Sequence, residues 1–234
     1  MTLPGALVVD FDGTVCLHDV GVCLLEEFGG RKWRDLGRAY DREELTMRQL
    51  IVAENASLSG TREEMLAFVL SHCPLDPTFA GFARWAAAQG TPITIVSDGS
   101  AFHIAPMLER AEIEGIEIVT NDHRFGPDGR SAGLAFPNAH PECVGCGTCK
   151  MRAVLEARER HGTVAFVGDG ASDRFGALYS DVVFAKDDLP RYCDEHGVPY
   201  RPWTDFDDVR TSLGSDQPLP GPVAPVRCPG WTAA

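Results

Sequence analysis

Two aspartates that stand two residues apart are the first groups in this sequence able to do chemistry. Asp10 and Asp12 lie in the segment Asp-Phe-Asp-Gly-Thr, directly after an apolar run at 7–9. Residues two apart in an extended segment point to the same side, so both carboxylates can face one site. Two uncompensated carboxylates repel each other, and the pair therefore predicts a bound cation. Taken alone, the pair fits a polar turn after a strand equally well.

Three further polar segments follow later in the chain. The Ser-Asp-Gly-Ser segment at 97–100 offers a hydroxyl group and a turn whose backbone amides can hold phosphate oxygens before a helix. Asp169 and Asp173 follow an apolar run at 164–167, so both can reach one metal ion. Lys150 begins a predicted helix, where its charge opposes the helix dipole. A bound anion explains that lysine better than helix stability does.

Short apolar runs, each followed by a helical stretch, indicate how these residues are positioned. The runs lie at 7–9, 93–96, 116–119, 164–167 and 182–184. Continuous apolar runs joined by helical crossovers are typical of buried parallel strands. We therefore expect an α/β fold, a Rossmann-like parallel sheet with helices on both faces. The polar segments then fall just beyond the strand C-termini, where such sheets bind ligands.

The regions between and after these runs predict the domain organisation. We expect a catalytic core at 1–15 and 76–213, an inserted helical cap at 16–75, and a proline-rich tail at 214–234. The capping-box patterns Thr46-x-x-Gln49 and Thr61-x-x-Glu64 indicate helix starts in the cap, because they satisfy the first free amides of a helix.

Composition limits the partners that the chain can have. Among 234 residues, 44% are hydrophobic, enough for a sizeable core, and the formal net charge is −13. This charge repels nucleic-acid backbones and anionic membrane surfaces. No stretch approaches the ~18 apolar residues of a membrane span. We expect a cytoplasmic protein that acts on a small molecule, without a nucleic-acid or membrane partner, and the oligomeric state stays open.

The order of the motifs DFDGTV, VSDGS, a lysine and VGDGASD resembles the haloacid-dehalogenase (HAD) superfamily of phosphatases. The resemblance covers about residues 3–185, and the helical insertion directly after the first motif is similar to the phosphoserine-phosphatase-like branch. It implies a HAD fold and Mg²⁺-dependent hydrolysis of a small phosphomonoester through an aspartyl-phosphate.

The resemblance also implies roles for individual residues. Asp10 would be the nucleophile and Asp12 the general acid/base. Ser97 and Lys150 would bind the phosphoryl group, and Asp98 belongs to the same phosphate-binding turn.

The same resemblance implies a magnesium site. Asp10, Asp169 and the backbone carbonyl of Asp12 would ligate Mg²⁺. Asp173 would be a further metal ligand or would hold a metal-bound water.

A phospho-accepting, receiver-like signalling module is the alternative from a different class. Receiver domains also combine an acceptor aspartate, acidic metal ligands and a lysine on an α/β sheet. A storage module has no use for a general acid two residues after the acceptor, and it does not need a cap of about sixty residues. Asp12 therefore favours the enzyme.

The ligand-rich segment before Lys150 raises the question of zinc. His140, Cys143, Cys146 and Cys149 lie within ten residues, whereas structural zinc sites usually pair two hooks across a longer segment. We expect reduced cysteines that shape a turn, and no stoichiometric zinc. Cysteine-rich segments before the lysine also occur in the methionine-salvage and the phosphoethanolamine/phosphocholine phosphatases that this chain resembles.

The cap must choose the substrate, and two acids in it are candidates for that role. Glu54 lies on the apolar face of the helix that begins after Thr46. By the resemblance, Glu54 stands near the position where phosphoserine phosphatases carry an arginine for the substrate carboxylate, and Asp19 near the position of their substrate-binding glutamate. An inward carboxylate is costly unless it meets a cation, a donor or water. We favour a methionine-salvage-type, keto-sugar-like phosphate, with phosphoethanolamine or phosphocholine as the alternative and phosphoserine in doubt. A solvated Glu54 stays open.

Three histidines can face the predicted substrate cleft. They are His18, His103 and His123. We expect none of them to be catalytic, because an isolated histidine is more often a structural or surface residue.

Overall fold

The computed structural model describes residues 3–215 and Cys228. Within this part of the chain the sheet has seven strands. They are β1 (Ala6–Val9), β2 (Ile93–Ser100), β3 (Glu117–Phe125), β4 (Ser131–Ala135), β5 (Val164–Gly168), β6 (Val182–Ala185) and β7 (Arg201–Pro202). The α-helices are α1 (Val20–Phe28), α2 (Trp33–Asp41), α3 (Met47–Asn55), α4 (Arg62–His72), α5 (Phe79–Ala88), α6 (Ala101–Arg110), α7 (Lys150–His161), α8 (Arg174–Leu178), α9 (Leu189–His196) and α10 (Phe206–Leu213).

The strands follow the order β4-β3-β2-β1-β5-β6-β7. All neighbouring pairs are parallel except β3 with β4, which form an antiparallel hairpin at one edge. Strand β1 is central, and the chain adds strands to one side of it before it turns to the other. Ligands in open α/β sheets bind at such a reversal of strand order.

The predicted α/β fold is confirmed, and all five apolar runs lie in or at the start of strands. Buried apolar side chains form one cluster on each face of the sheet, which is why the central strands read as continuous apolar runs. Strands β4 and β7 were not predicted. Strand β4 is Ser-Ala-Gly-Leu-Ala, a half-buried edge strand with no β-branched residue. Strand β7 has two residues, one of them proline.

Helices α1 to α4 lie within the stretch 16–75, between β1 and α5. Both predicted capping boxes are present, at Thr46 and at Thr61. The guanidinium group of Arg48 donates to the carbonyl oxygens of Cys143 and Cys146, at 2.9 and 2.8 Å. These bonds tie α3 to the core. The division into core and cap stays a prediction, and most of the proposed tail at 214–234 lies outside the described residues.

Among the residues that the structure describes, no helix combines the length and apolarity needed to cross a lipid bilayer.

Candidate active site

Strand register brings the polar strand ends together. Val9 pairs with Ile95 of β2 on one side and with Val167 of β5 on the other. The amide of Asp10 continues this ladder with a bond to the carbonyl oxygen of Val167, at 2.9 Å. Segments that are far apart in the sequence therefore end at one edge of the sheet.

Three buried or half-buried aspartates form what we call the carboxylate cluster, namely Asp10, Asp169 and Asp173. Each offers an oxygen that lies within 4.8 Å of the others. The ammonium group of Lys150 donates to Asp10 Oδ1 at 2.5 Å and to Asp173 Oδ1 at 2.7 Å. Lys150 is the first residue of α7, as predicted, and its side chain is almost fully buried.

The two oxygens of Asp173 are already engaged. Oδ2 accepts the amides of Asp169 and Gly170, both at 3.0 Å, and Oδ1 accepts Lys150. Asp173 therefore fixes the turn that carries Asp169 and holds the lysine beside Asp10.

Electrostatics in the cluster favour a further cation. Burial raises the pKa of Asp10 well above its ordinary value, and the charge of Asp173 adds to this effect against Lys150. Burial, followed by Asp173, raises the pKa of Asp169 to about 6. Burial lowers the pKa of Lys150, but Asp10 and Asp173 outweigh it, so the net shift is upward and the lysine stays charged. One lysine leaves three carboxylates undercompensated, and their hard oxygen ligands fit a magnesium ion.

Residues of the loop after β1 complete the contact with β5. The hydroxyl of Thr14 donates to Asp169 Oδ1 at 2.8 Å. Gly13 has a positive φ of 74°, and a Cβ atom there would lie 2.3 Å from Asp169 Oδ2. Only glycine therefore allows this close approach without a shift of the aspartate.

Asp12 faces away from the cluster, toward the start of the cap. Its Oδ1 accepts the amide of Val20 at 2.9 Å, and its Oδ2 accepts the hydroxyl of Ser97 at 3.1 Å. Burial, with a further contribution from Asp19, raises the pKa of Asp12 to about 7. A carboxyl group with a pKa near the working pH can both give and take protons.

The turn after β2 is locked to the segment before Lys150. The Ser97 hydroxyl accepts the Gly99 amide at 2.8 Å, which shapes the turn. The carboxylate of Asp98 accepts the Thr148 amide at 2.6 Å. Asn121 of β3 donates to the Asp98 carbonyl oxygen at 2.7 Å and accepts the Thr148 hydroxyl at 3.2 Å. The Asp98 side chain thus positions the approach to Lys150, a contact that the sequence did not indicate.

The cysteine segment forms the other side of this approach. His140, Cys143, Cys146 and Cys149 line a small cavity beside Lys150, together with Cys228 from near the chain end. Burial raises the pKa of the Cys146 thiol to about 12. Among the described residues, the carboxylate cluster is the only set of three or more potential metal-ligating side chains gathered within 4.8 Å.

A cleft opens between helices α1 and α3, which belong to the predicted cap, and the turn after β2. We call it the cap cleft. Its empty space, including the open mouth, is about 480 Å³. One part of its wall is apolar, formed by Leu24, Leu25, Ile51, Leu58, Phe102 and Leu134. The polar side chains on the wall are Glu54, Asn55, His103 and His123, with Asp98 and Ser100 toward the turn. No lysine or arginine lines this cleft among the described residues.

Two of these polar groups are tied together across the cap and the core. Asn55 Nδ2 lies 3.3 Å from His123 Nδ1, and His123 Nε2 lies 2.9 Å from the Ser131 hydroxyl. That hydroxyl donates to Asn55 Oδ1 at 2.7 Å, which closes a ring of hydrogen bonds. The arrangement is satisfied when His123 is neutral, and burial lowers its pKa to about 4.

The two predicted specificity residues take different positions. Glu54 is half-buried on the cleft wall, and it forms no salt bridge among the described residues. Burial, followed by the nearby charge of Asp19, raises the pKa of Glu54 to about 7. Asp19 is exposed and caps α1, where its Oδ1 accepts the Val22 amide at 2.9 Å.

The structure thus gathers the predicted residues Asp10, Asp12, Ser97, Lys150, Asp169 and Asp173 at one edge of the sheet. Sequence reasoning missed Thr14, Asn121 and Thr148. Thr14 belongs to the first motif and could have been included from its position there. Asn121 and Thr148 carry no signal in the sequence, because only the fold brings them to Asp98.

The family model for haloacid dehalogenase-like hydrolases matches residues 7–175. The chain therefore belongs to this family, and within it the chain is a phosphatase of the phosphoric monoester hydrolase class.

Two similar proteins carry the name of the same phosphatase. A Bacillus velezensis protein named 2-hydroxy-3-keto-5-methylthiopentenyl-1-phosphate phosphatase is 29% identical over 216 residues, which cover 91% of each chain. A Geobacillus kaustophilus protein with the same name is 30% identical over 216 residues, covering 91% of this chain and 97% of the relative.

Solved structures agree on the fold. A phosphoserine phosphatase determined as a phospho-aspartyl intermediate analogue superposes with a TM-score of 0.71 at 13% identity. The match covers 90% of this chain and 99% of that chain. At this identity the likeness shows the fold alone.

Proposed function

We propose that the protein is a magnesium-dependent phosphatase that forms a covalent aspartyl-phosphate on Asp10 and releases a small leaving group into the cap cleft. The different surroundings of Asp10 and Asp12 support this proposal most directly. Asp10 lies beside Lys150 and Asp169, whereas Asp12 points toward Ser97 and the start of the cap. The two aspartates of the first motif are thus divided between the phosphoryl group and the leaving group.

The carboxylate cluster supplies the ligands for magnesium. Asp10 and Asp169 would hold the ion together with the main-chain carbonyl of Asp12, and Asp173 orients Asp169 and Lys150. When bound, the ion neutralises charge on the transferring phosphoryl oxygens. The charge of Lys150 and the amides of the turn at 97–100 act on the same oxygens.

The residues of the chain account for both halves of the reaction. A carboxylate oxygen of Asp10 attacks phosphorus, and the bond from phosphorus to the ester oxygen breaks. Asp12 gives its proton to that departing oxygen. Asp12 then takes a proton from the water that attacks the aspartyl-phosphate, and inorganic phosphate leaves with Asp10 restored. A single acid/base group serves both steps because the second step reverses the proton transfer of the first.

The position of Asp12 also supports hydrolysis over phosphate storage. Its carboxyl group lies against Ser97 and beside Gly99, a residue of the cleft wall, rather than in the carboxylate cluster. A receiver-like module, which keeps its phosphate, needs no proton donor there. The cleft itself supplies space for a leaving group.

The walls of the cap cleft favour a neutral leaving group. The relatives are named for a substrate whose carbon chain carries the phosphate at one end and a methylthio group toward the other. A hydroxyl and a keto group lie between them. Hydroxyl and keto oxygens need hydrogen-bond partners, and His103 offers ring nitrogens that no described residue bonds. A methylthio end needs an apolar wall, which Leu24, Ile51 and Leu58 offer. We propose a keto-sugar-like phosphate of this methionine-salvage type as the substrate.

Phosphoserine fits the cleft less well. Its leaving group carries a carboxylate, and no lysine or arginine among the described residues lines the cleft to pair with it. The two histidines of the wall have strongly lowered pKa values and are neutral at pH 7. A buried carboxylate without a partner is costly.

A cationic leaving group is the second candidate, and Glu54 favours it. Its carboxyl group faces the cleft without a salt bridge among the described residues, and a choline or ethanolamine nitrogen would supply the missing cation.

A panel of phosphate esters tests the proposal directly. Release of inorganic phosphate would be followed with a hydroxy-keto phosphate ester, phosphocholine, phosphoethanolamine and phosphoserine, in magnesium and in excess chelator. We expect the hydroxy-keto ester to be the best substrate and activity to vanish with chelator and return with magnesium. Full activity in chelator would refute the metal requirement, and a preference for phosphoserine would refute the substrate class.

A further inference from the structure

His103 is a buried histidine whose ring has no hydrogen-bond partner among the described residues. It lies in the first turn of α6, directly after the turn at 97–100, and is 3% exposed. Neither Nδ1 nor Nε2 forms a hydrogen bond with any described residue. Buried polar atoms are nearly always paired, because an unpaired one loses its bonds to water without compensation. A ligand that supplies the partner would explain this exception.

The ring lies beside the acid/base group. A Cβ atom placed on Gly99 would be 3.0 Å from Asp12 Oδ2, 3.0 Å from Ser97 Oγ and 3.2 Å from His103 Nε2. Three polar atoms therefore surround one point, and the glycine keeps a side chain out of it. Because Asp12 protonates the departing oxygen, His103 Nε2 lies within reach of the atoms next to that oxygen.

The other histidine of the cap cleft provides a comparison within the same wall. His123 is also buried, but Asn55 and Ser131 satisfy both of its ring nitrogens. Its role is explained by the fold. His103 contacts two aromatic rings instead, with the Phe102 ring edge-on at 4.9 Å and the Phe11 ring at 6.3 Å. These contacts position the ring without a hydrogen bond to either nitrogen from any described residue.

The ring is neutral, which limits what it can recognise. Burial lowers the pKa of His103 to about 3, with a smaller contribution from His123. A neutral imidazole has one N–H donor and one acceptor nitrogen. It therefore suits a hydroxyl or a carbonyl oxygen, and it cannot replace the cation that a carboxylate requires.

We propose that His103 is a specificity-determining residue that hydrogen-bonds a hydroxyl or carbonyl oxygen next to the ester oxygen of the leaving group. This inference rests on the proposed function, because only a phosphomonoester bound at Asp10 places a leaving group there. The expected substrates are phosphate esters with a hydroxyl or carbonyl group on the carbon next to the one that bears the ester oxygen.

Two phosphate esters of equal carbon number test the assignment. Dihydroxyacetone phosphate has a keto group next to the ester carbon, and propyl phosphate has none. We compare the ratio of their kcat/KM values in the unmodified chain, His103→Phe and His103→Gln. Loss of one hydrogen bond to a buried neutral group corresponds to roughly 10- to 100-fold. We expect the ratio to fall by this factor in His103→Phe, and by less in His103→Gln, which keeps a donor and an acceptor.

The control is His161→Gln. His161 is exposed at the far end of α7, and both rates should stay unchanged there. An unchanged ratio in His103→Phe, with phosphate release from both esters intact, would overturn the role of His103 alone. No phosphate release from either ester by the unmodified chain would overturn the proposed function as well.

A spectroscopic readout covers the case in which His103→Phe does not fold. In Asp10→Asn, which keeps His103 and is expected not to turn over, the imidazole nitrogen resonances of His103 are followed by NMR. We expect them to shift with dihydroxyacetone phosphate and to stay in place with propyl phosphate. Equal shifts with both esters, or none with either, would contradict the hydrogen bond.

Discussion

The carboxylate cluster and the cap cleft lie side by side, yet they differ in how they can recognise a substrate. In the cluster, three carboxyl groups and one lysine are packed together, and the interactions among them are ionic. In the cleft, two neutral histidines and an apolar wall face the ligand, and the carboxyl groups of Glu54 and Asp98 lie on the same wall. We therefore expect charge to select the phosphoryl group, and shape and single hydrogen bonds to select the leaving group.

The largest effect should come from the nucleophile. Asp10→Asn keeps the shape of the side chain but removes the attacking carboxylate, so turnover should fall to the background rate with every ester in the panel. Phosphate release measured with magnesium checks this. The matched control is Asp194→Asn, an exposed position on α9, which should behave as the unmodified chain. Full activity in Asp10→Asn would refute the assignment of the nucleophile.

The next largest effect should come from the acid/base group. Asp12→Asn removes the proton donor, and general acid–base catalysis is typically worth ~10²–10⁴-fold, so kcat should fall in that range. Esters with very acidic leaving groups need little protonation and should lose less. Rates with an alkyl phosphate and an aryl phosphate measure the difference. Equal losses for both would contradict Asp12 as the proton donor to the leaving group. A long-lived phosphorylated form of the unmodified chain, with negligible phosphate release, would favour the storage module.

A smaller effect should depend on pH. Glu54 has a pKa raised to about 7, so its carboxyl group gains charge as the pH rises through that value. The other titratable groups on or beside this wall are the carboxyl groups of Asp19 and Asp98 and the neutral rings of His103 and His123. The ratio of kcat/KM for phosphocholine to that for dihydroxyacetone phosphate should therefore rise with pH, by roughly 2- to 5-fold as for a partly exposed ion pair.

The variant Glu54→Gln should remove this pH dependence, and Glu109→Gln, exposed on α6, should retain it. A ratio that depends on pH in the same way with and without Glu54 would show that the carboxylate is merely solvated at the edge of the cleft.

The smallest effect should come from the cysteines. We expect the purified protein to hold no stoichiometric zinc, because burial favours protonated thiols and crowded C-x₂-C spacing alone rarely forms a structural site. Elemental analysis of the purified chain measures it, with Cys143→Ser as the paired sample. One zinc per chain that is lost in Cys143→Ser would reverse this prediction.

The two regions also differ in how far the sequence reveals them. The residues of the cluster follow apolar runs directly, so the alignment of parallel strands predicts their meeting. The contact of Asp98 with Thr148 spans fifty residues and depends on the path of the chain between β4 and α7. The unpaired ring of His103 is equally invisible, because the helical pattern places it inward but cannot tell whether its neighbours offer partners. Local pattern therefore predicts the chemistry better than the specificity.

Because β1 lies at the centre of the sheet, we expect local unfolding to expose its amides last. All four residues of β1 are buried, with paired strands on both sides, so their amides should exchange with solvent only when the whole sheet opens. The β3–β4 hairpin lies at the sheet edge and carries half-exposed residues, and it should exchange sooner. Asp10, the proposed nucleophile, therefore directly follows the strand that we expect to exchange most slowly. His123 and Leu134, on the wall of the cap cleft, belong to the hairpin that we expect to open more easily.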